Sequence, residues 1–369
     1  MSARDFDAVV IGAGMAGASA AAFLAIDRSV ALLEAEEQPG YHSTGRSAAI
    51  WIQNYGPPDV RTLTGLSRSF FETPPQGFAA HALIHRRPVL FLAPESQVPA
   101  LAAMLAEGIG LAPIGLDDVA AMVPALRPGY AAAAAIERDA FDMDAAAIHQ
   151  GFLRQLRARG GELATRHRAG RIARGRSFWA VTTSEGTVFR APVLVNAAGA
   201  WGDEVAAIAG VRKLGLVACR RSAAIVDPTP FDVADWPLVN DVGHTWYARP
   251  EARTRLMVSP ADETPVPPSD IQPDELDIAL GIDRMQQALA IEVRRVERAW
   301  AGLRTFTPDR SLAFGWDARA EGFFWCVGQG GYGIQTAPAA GALVADLIAG
   351  RDGGEAAGIV AAMDPRRFG

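Results

Sequence analysis

The sequence predicts an α/β protein in which a nucleotide-binding βαβ domain is interrupted by a second domain of antiparallel strands. Three observations carry this expectation. A Val- and Ile-rich run, residues 6–11, passes through GAGMAG straight into the helix-forming ASAAAFLA, and residues 28–34 read as a second buried strand ending in an acid. A strand–glycine–helix series returns near the C-terminus in FFWCVGQGGYGIQTAPAAGALVADLIAG. Between them, LGLVACRRSAAIVD, HTWYARP and TRLMVSP are strand-like segments whose spacing favours antiparallel pairing over βαβ repeats.

Each element has a local reason. Gly12 permits the tight turn after the first strand, Gly14 lets the backbone approach a pyrophosphate at the helix N-terminus, and Gly17 permits close helix–strand packing. Glu34 can accept both ribose hydroxyls of an adenosine, and its charge would repel a 2′-phosphate. This order points to a dinucleotide but does not choose between FAD and NAD. Residues 59–72 read as a helix with one apolar face, 88–93 as a strand, and 95–127 as two short helices. Asp144 is the expected N-cap of a helix that ends over residues 157–161. Residues 171–182 and 186–190 read as a hairpin turning at Gly186. Residues 193–196 form a short apolar strand that feeds small residues and a helix from Trp201; this is either an ordinary βα turn or backbone lying close to a cofactor. Residues 273–290 read as a helix. Gly328, Gly330, Gly331 and Gly333 allow backbone to approach a flat cofactor, and Pro338 is tolerated in the first turn of the last helix. The terminal DPRRFG reads as a frayed polar tail.

Composition narrows the function. The chain has 369 residues, 50% of them apolar, with a net charge of −6. Its basic residues are almost all arginines, Lys213 being the one lysine, and they are scattered among acids, which argues against a nucleic-acid partner. Cys219 and Cys326 are far apart, no CxxC occurs and the histidines follow no metal-ligand spacing, so neither a disulfide framework nor a metal is expected. Residues 6–26 are apolar, but the glycine turn and the lack of a basic leader argue against a membrane segment, leaving a cytoplasmic protein as the expectation.

The stretches VVIGAGMAGAS, EQPGYHSTGRSAA, VLVNAAGAW, WAGLRTFTPD and GQGGYGIQT together resemble the FAD-dependent D-amino acid oxidase and glycine/sarcosine oxidase superfamily, and within it the bacterial D-arginine dehydrogenase branch. The resemblance implies a Rossmann-like FAD domain of the glutathione-reductase type (residues 1–80, 145–212 and 301–369) and an interleaved α+β substrate domain built on an antiparallel sheet (81–144 and 213–300). It implies oxidation of a C–N bond by hydride transfer from Cα to flavin N5, followed by hydrolysis to a 2-oxo acid and ammonia. Implied FAD neighbours are Met15, Ala16, Ala35, Ser43, Thr44, Arg46, Ser47, Ala48, Ala198, Gly199, Trp201, Gly331, Tyr332, Gly333, Ile334, Gln335 and Thr336. The FAD is expected to be noncovalent, because no cysteine stands near Arg304 and Thr305. His42 is expected to be structural rather than a base.

A substrate carboxylate needs charge-matched donors, and the planar fork of arginine fits both oxygens. The resemblance assigns this task to Arg221 and Arg304, helped by Tyr55 and Tyr247, with the Gly331 carbonyl beside the amine. Arg220 competes with Arg221, but opposite strand facings should admit only one. The arginine-selective branch carries an acid where this chain has Val89, and a histidine and a threonine where it has Ile50 and Ile52. An apolar wall would leave a buried guanidinium unpaired, which is costly. The expected substrate is therefore a D-amino acid with a neutral or apolar side chain, the alternatives being glycine, sarcosine, a cyclic secondary amino acid or a 2-hydroxy acid. A dehydrogenase with an unidentified electron acceptor is favoured over an oxidase, and a flavin-binding protein without turnover is the remaining alternative.

Overall fold

The computed structural model describes residues 3–369. Five parallel strands and one antiparallel edge form a six-stranded sheet in the order Glu162–Ala164, Val30–Leu33, Ala8–Ile11, Val193–Asn196, Phe323–Val327, Ala313–Trp316. Strand alternation sorts its side chains into two layers. Ala8, Val10, Leu32 and Val195 pack against the helices Met15–Leu24, Ala145–Ala158 and Ala337–Ile348. Val9, Ile11, Leu33 and Leu194 pack on the opposite face against Ile172, Trp179, Val181 and Phe189. Both faces are thus covered, which explains why these short strands are continuous apolar runs.

The covering layer on the second face departs from the expected hairpin. Residues 171–182 are not one strand: they turn at residues 175–178, giving strands Ala169–Arg174 and Trp179–Thr183, with Val188–Ala191 as the third of a meander. The Gly175 N–H donates to the Phe178 carbonyl and closes the missed turn. The chain terminus is also docked rather than frayed. Residues Pro365–Phe368 form a 3₁₀ turn, and Arg367 donates to Asp309 and to the Ser311 and Leu312 carbonyls.

Ile50–Trp51 and Ile84–Arg86 pair with Phe141–Met143 in a separate three-stranded sheet, while a nine-stranded sheet holds most of the other strands. Its longest pairing joins Val217–Val226 to Val296–Phe306, and the latter is a strand that the charged start VER concealed. The junction expected at residues 300/301 lies inside that strand. Pairing is antiparallel throughout except between Leu238–Asp241 and Val89–Ala93, which run parallel. Leu238–Asp241, short and flanked by turns, carried no sequence signal long enough to read.

Candidate active site

A cavity of about 380 Å³ opens at the carboxyl ends of the parallel strands, where ligands of open α/β sheets bind, and runs to the nine-stranded sheet. The glycine turn forms its first end. Gly12 has φ of +101°, and a Cβ there would stand 2.5 Å from the Ala197 carbonyl oxygen. The Met15 N–H donates to Thr44 Oγ1 at 2.9 Å, tying the helix start to the 41–48 loop. The neighbouring amides of Ala16 and Gly17 are without intrahelical acceptors by position, so the helix N-terminus carries positive potential. Glu34 reaches the same wall, accepting the Ala13 N–H at 3.0 Å and the Glu36 N–H at 2.9 Å; burial, opposed by these bonds, pushes its pKa up. His149 Nε2–H donates to the Ala13 carbonyl at 2.8 Å, and burial holds its imidazole below the usual range and hence neutral.

The HSTGRSAA loop is stitched to the second sheet. Ser43 donates to the Leu303 carbonyl at 2.6 Å, Arg46 to the Ile271 and Ala301 carbonyls, and the Trp300 indole to the Arg46 carbonyl at 3.1 Å. Arg46 also pairs with Asp270. The Arg46 guanidinium is thus committed to protein, while the rest of the residue lines the cavity with Ser47 and Ala48. His42 packs on Trp201 with ring centroids 4.6 Å apart and bonds Glu36 through Nε2 at 3.1 Å. Ala35, Ala198 and Gly199 complete this wall with Met15 and Ala16.

At the far end the structure brings Tyr55, Arg221, Tyr247 and Arg304 within electrostatic reach of one another. Arg304 donates to the Tyr55 hydroxyl at 2.6 Å and, among the described residues, makes no ion pair. Arg221 is already engaged: it donates to the Asp262 carbonyl at 2.7 Å and to Glu263 at 2.9 Å. Burial, and then the charge of Arg304, lowers the Arg221 pKa. Arg220 faces away and pairs with Asp277 at 2.6 Å, which resolves the Arg220/Arg221 ambiguity through strand alternation. Gly331 has a steric reason: a Cβ there would stand 2.9 Å from the Arg304 guanidinium carbon. Gly333 and Ile334 line the cavity nearby.

Several expected contacts fall elsewhere. Gly17 lies beneath the turn rather than in the wall. Tyr332, Gln335 and Thr336 are buried behind the cavity, because their polar groups are spent inside the protein. Thr336 donates to the Tyr332 carbonyl, and Gln335 bonds both the N–H and the carbonyl of Ile52 and donates to Thr64. Tyr332 still stacks edgewise on Tyr55 at 5.0 Å. Ile50 and Ile52 are half-buried and pack with Tyr247 on one apolar cluster, but Val89 is its fully enclosed base at 0% exposure. Val89 therefore cannot touch a side chain entering from the cavity, and the expected pocket wall is one layer too deep.

The acid missing at Val89 is supplied by the neighbouring strand. Antiparallel register pairs Val89 with Glu137, so both project from one face. Glu137 is 1% exposed and accepts the Gln53 N–H at 2.6 Å and the Asn54 side-chain amide at 2.8 Å. It thus anchors the turn that delivers Tyr55 and offers no free charge to a cationic substrate. Sequence reading missed Glu137 because only strand pairing reveals its neighbours.

Burial foremost raises the Glu137 pKa, with the Asn54 and Gln53 bonds opposing. The fold then binds this proton more tightly than the unfolded chain, so the Glu137 contribution to stability falls as pH rises from the ordinary carboxylate range through the raised value. Glu137→Gln should remove that slope. It should also leave one donor facing an amide NH₂, costing about 1–3 kcal/mol. Thermal melts across the acid range and KM for a carboxylate substrate test this. An unchanged melting curve with an unchanged KM would exclude the anchoring role.

A glycine-turn cradle opening onto an end lined by Arg221, Tyr247 and Arg304 defines a protein built to hold a nucleotide cofactor. The chain belongs to the FAD-dependent oxidoreductase family (DAO), whose pattern matches residues 7–347. It is 27% identical over 198 residues to FAD-dependent oxidoreductase domain-containing protein 1 of Xenopus laevis, across 48% of this chain and 38% of that protein. The Bos taurus protein of the same name is 27% identical over 174 residues, 42% of this chain and 35% of the relative. The matched stretch thus spans under two fifths of these relatives' length. Among solved structures, L-proline dehydrogenase from P. horikoshii superposes with a TM-score of 0.85 at 21% identity, covering 100% of this chain and 98% of that one. Glycine oxidase from Geobacillus kaustophilus does so at 0.81 and 19%, covering 94% and 95%. L-amino acid deaminase from Proteus vulgaris does so at 0.82 and 15%, covering 100% and 97%. At these identities the likeness is one of fold.

FAD fits the residues present. Glu34 would hold the adenosine ribose, the amides after Gly14 the diphosphate, and backbone at Ser47, Ala48 and residues 330–334 the flavin. No helix among the described residues is long and apolar enough to cross a membrane.

Proposed function

We propose that the protein is a FAD-dependent dehydrogenase that oxidises the Cα–N bond of a D-amino acid with a neutral side chain. The observation that carries this reading is the Arg304 guanidinium, which among the described residues bonds only a phenol, at the end of the cavity. Arg304 and Tyr55 bind the carboxylate, Tyr247 and Arg221 close on it, and the Gly331 carbonyl accepts from the amine. The FAD supplies the hydride acceptor. One ammonium proton passes to water, the nitrogen lone pair forms the C=N bond as hydride leaves Cα, and water then hydrolyses the imine to a 2-oxo acid and ammonia. Orientation and fixed charge carry the catalysis, with no side-chain base.

Support against a cationic side chain comes from Glu137, whose carboxylate is saturated by Gln53 and Asn54. This reading departs from the arginine-selective branch while keeping its carboxylate clamp. The enclosure of Val89 favours a second reading, in which the pocket is shallow and the substrate is glycine or a cyclic amino acid. The solved relatives named for proline, glycine and L-amino acids are compatible with either reading. The FAD is proposed to be noncovalent, the location cytoplasmic and the electron acceptor a separate molecule.

Anaerobic flavin bleaching decides among these readings. D-leucine and D-methionine should reduce the flavin, with D-arginine and L-leucine far slower. Faster bleaching by glycine or proline would select the second reading, and bleaching only by 2-hydroxy acids would overturn both. Rapid reoxidation in air at the turnover rate would replace dehydrogenase with oxidase.

A further inference from the structure

One polar side chain beside the clamp has no assigned task. His244 stands in the turn between strands Leu238–Asp241 and Tyr247–Glu251. Its φ is +52°, a left-handed conformation uncommon for a residue with a Cβ. Buried Asp241 holds the turn there, accepting the Thr245 and Trp246 N–H groups and a bond from Gln97, while the Gly243 N–H donates to Gln97. The strain is thus maintained by a rigid surrounding, which is the pattern of strained residues at functional sites. The imidazole lies 6.5 Å from the Tyr55 ring and 6.5 Å from the Phe91 ring, between centroids. The residue keeps a solvent-accessible edge although neighbouring atoms crowd its ring, and among the described residues its ring nitrogens make no hydrogen bond.

We infer that His244 is a specificity-determining residue whose ring hydrogen-bonds the end of the substrate side chain, so that the preferred substrate is an amino acid ending in an uncharged carboxamide or hydroxyl. This deepens the proposed amino acid oxidation and rests on it. Tyr55 ties Arg304 to the carboxylate end, so a ring one step beyond Tyr55 meets the side chain rather than the carboxylate. The groups acting on His244 are Asp241 on its own turn, Arg221, Arg304 and Glu263. Crowding foremost, with the two arginines, lowers its pKa against the pull of the two acids. A neutral imidazole donates from one nitrogen and accepts at the other, which matches a carboxamide.

D-asparagine and D-leucine are near-isosteric, so their kcat/KM ratio isolates this bond. The test compares the holoenzyme with His244→Gly and His244→Asn, since Gly and Asn both tolerate the left-handed φ. The Gly variant should lower the asparagine-to-leucine ratio roughly 3- to 10-fold, the range of one neutral hydrogen bond, and the Asn variant should recover part of it. An unchanged ratio, or equal losses for both substrates, would overturn the assignment. A parent enzyme whose flavin no amino acid reduces would instead defeat the underlying reading, and this inference with it.

Discussion

Arg304→Met is expected to lower kcat/KM for every carboxylate substrate by roughly 10²–10³-fold, the equivalent of about 3–4 kcal/mol for a lost bidentate, charge-assisted contact. The size follows from what surrounds the guanidinium. Among the described residues its side-chain hydrogen-bond partner is the Tyr55 hydroxyl at 2.6 Å, and Glu263 acts on it only through space, so no carboxylate pairs with it directly until substrate arrives. Arg221 differs, because Glu263 already accepts from it and is shared with Arg310. Arg221→Met should therefore cost less than Arg304→Met, and the loss should fall mainly on KM. Steady-state kinetics with an artificial acceptor, alongside FAD content to exclude cofactor loss, test the pair. Equal penalties would mean that Glu263 does not compensate Arg221, and an unaffected Arg304 variant would remove that residue from the site.

The second large effect concerns the cradle. Gly17→Ala would place a Cβ 1.8 Å from the Gly12 carbonyl oxygen, a backbone atom that no rotamer change can move. Helix and glycine turn must separate, and the turn is where the diphosphate of FAD would sit. The variant should purify colourless or fail to fold, at a cost in the exceptional range above about 4 kcal/mol. Gly14→Ala is the control. Its Cβ would meet only Thr44 Oγ1, at 3.4 Å, and φ is −72°, so the fold should survive even where FAD affinity falls. The 450 nm to 280 nm absorbance ratio and the melting temperature separate the outcomes. A yellow, stable Gly17→Ala protein would show that the close packing of helix and turn is dispensable.

Much of the cradle was legible because its parts are contiguous. The strand, glycines, helix and terminal acid all lie within residues 8–34, so their spacing alone states the geometry. The same holds for the Asp144 cap, whose side chain accepts the Ala147 N–H as the local pattern requires. The proximity of Tyr55 and Arg304 was suggested in a different way, through a resemblance that names residues far apart in sequence. Tyr55 and Arg304 are 249 residues apart, and only folding gives them their 2.6 Å bond.

What the amino-acid order determined by itself was local: the nucleotide-binding unit, the returning glycine segment and the antiparallel habit of the middle of the chain. Tertiary structure decided the rest. It enclosed Val89, turned Arg220 toward Asp277, committed Gln335 to Ile52, and set Glu137 under the turn that carries Tyr55. The physical reason is that a polar side chain's role depends on which partner claims its hydrogen bonds first. Those partners come from a helix (Asp277) and from the loop after Ile50–Trp51 (Ile52, Gln53, Asn54), segments whose placement is settled by packing rather than by neighbouring residues.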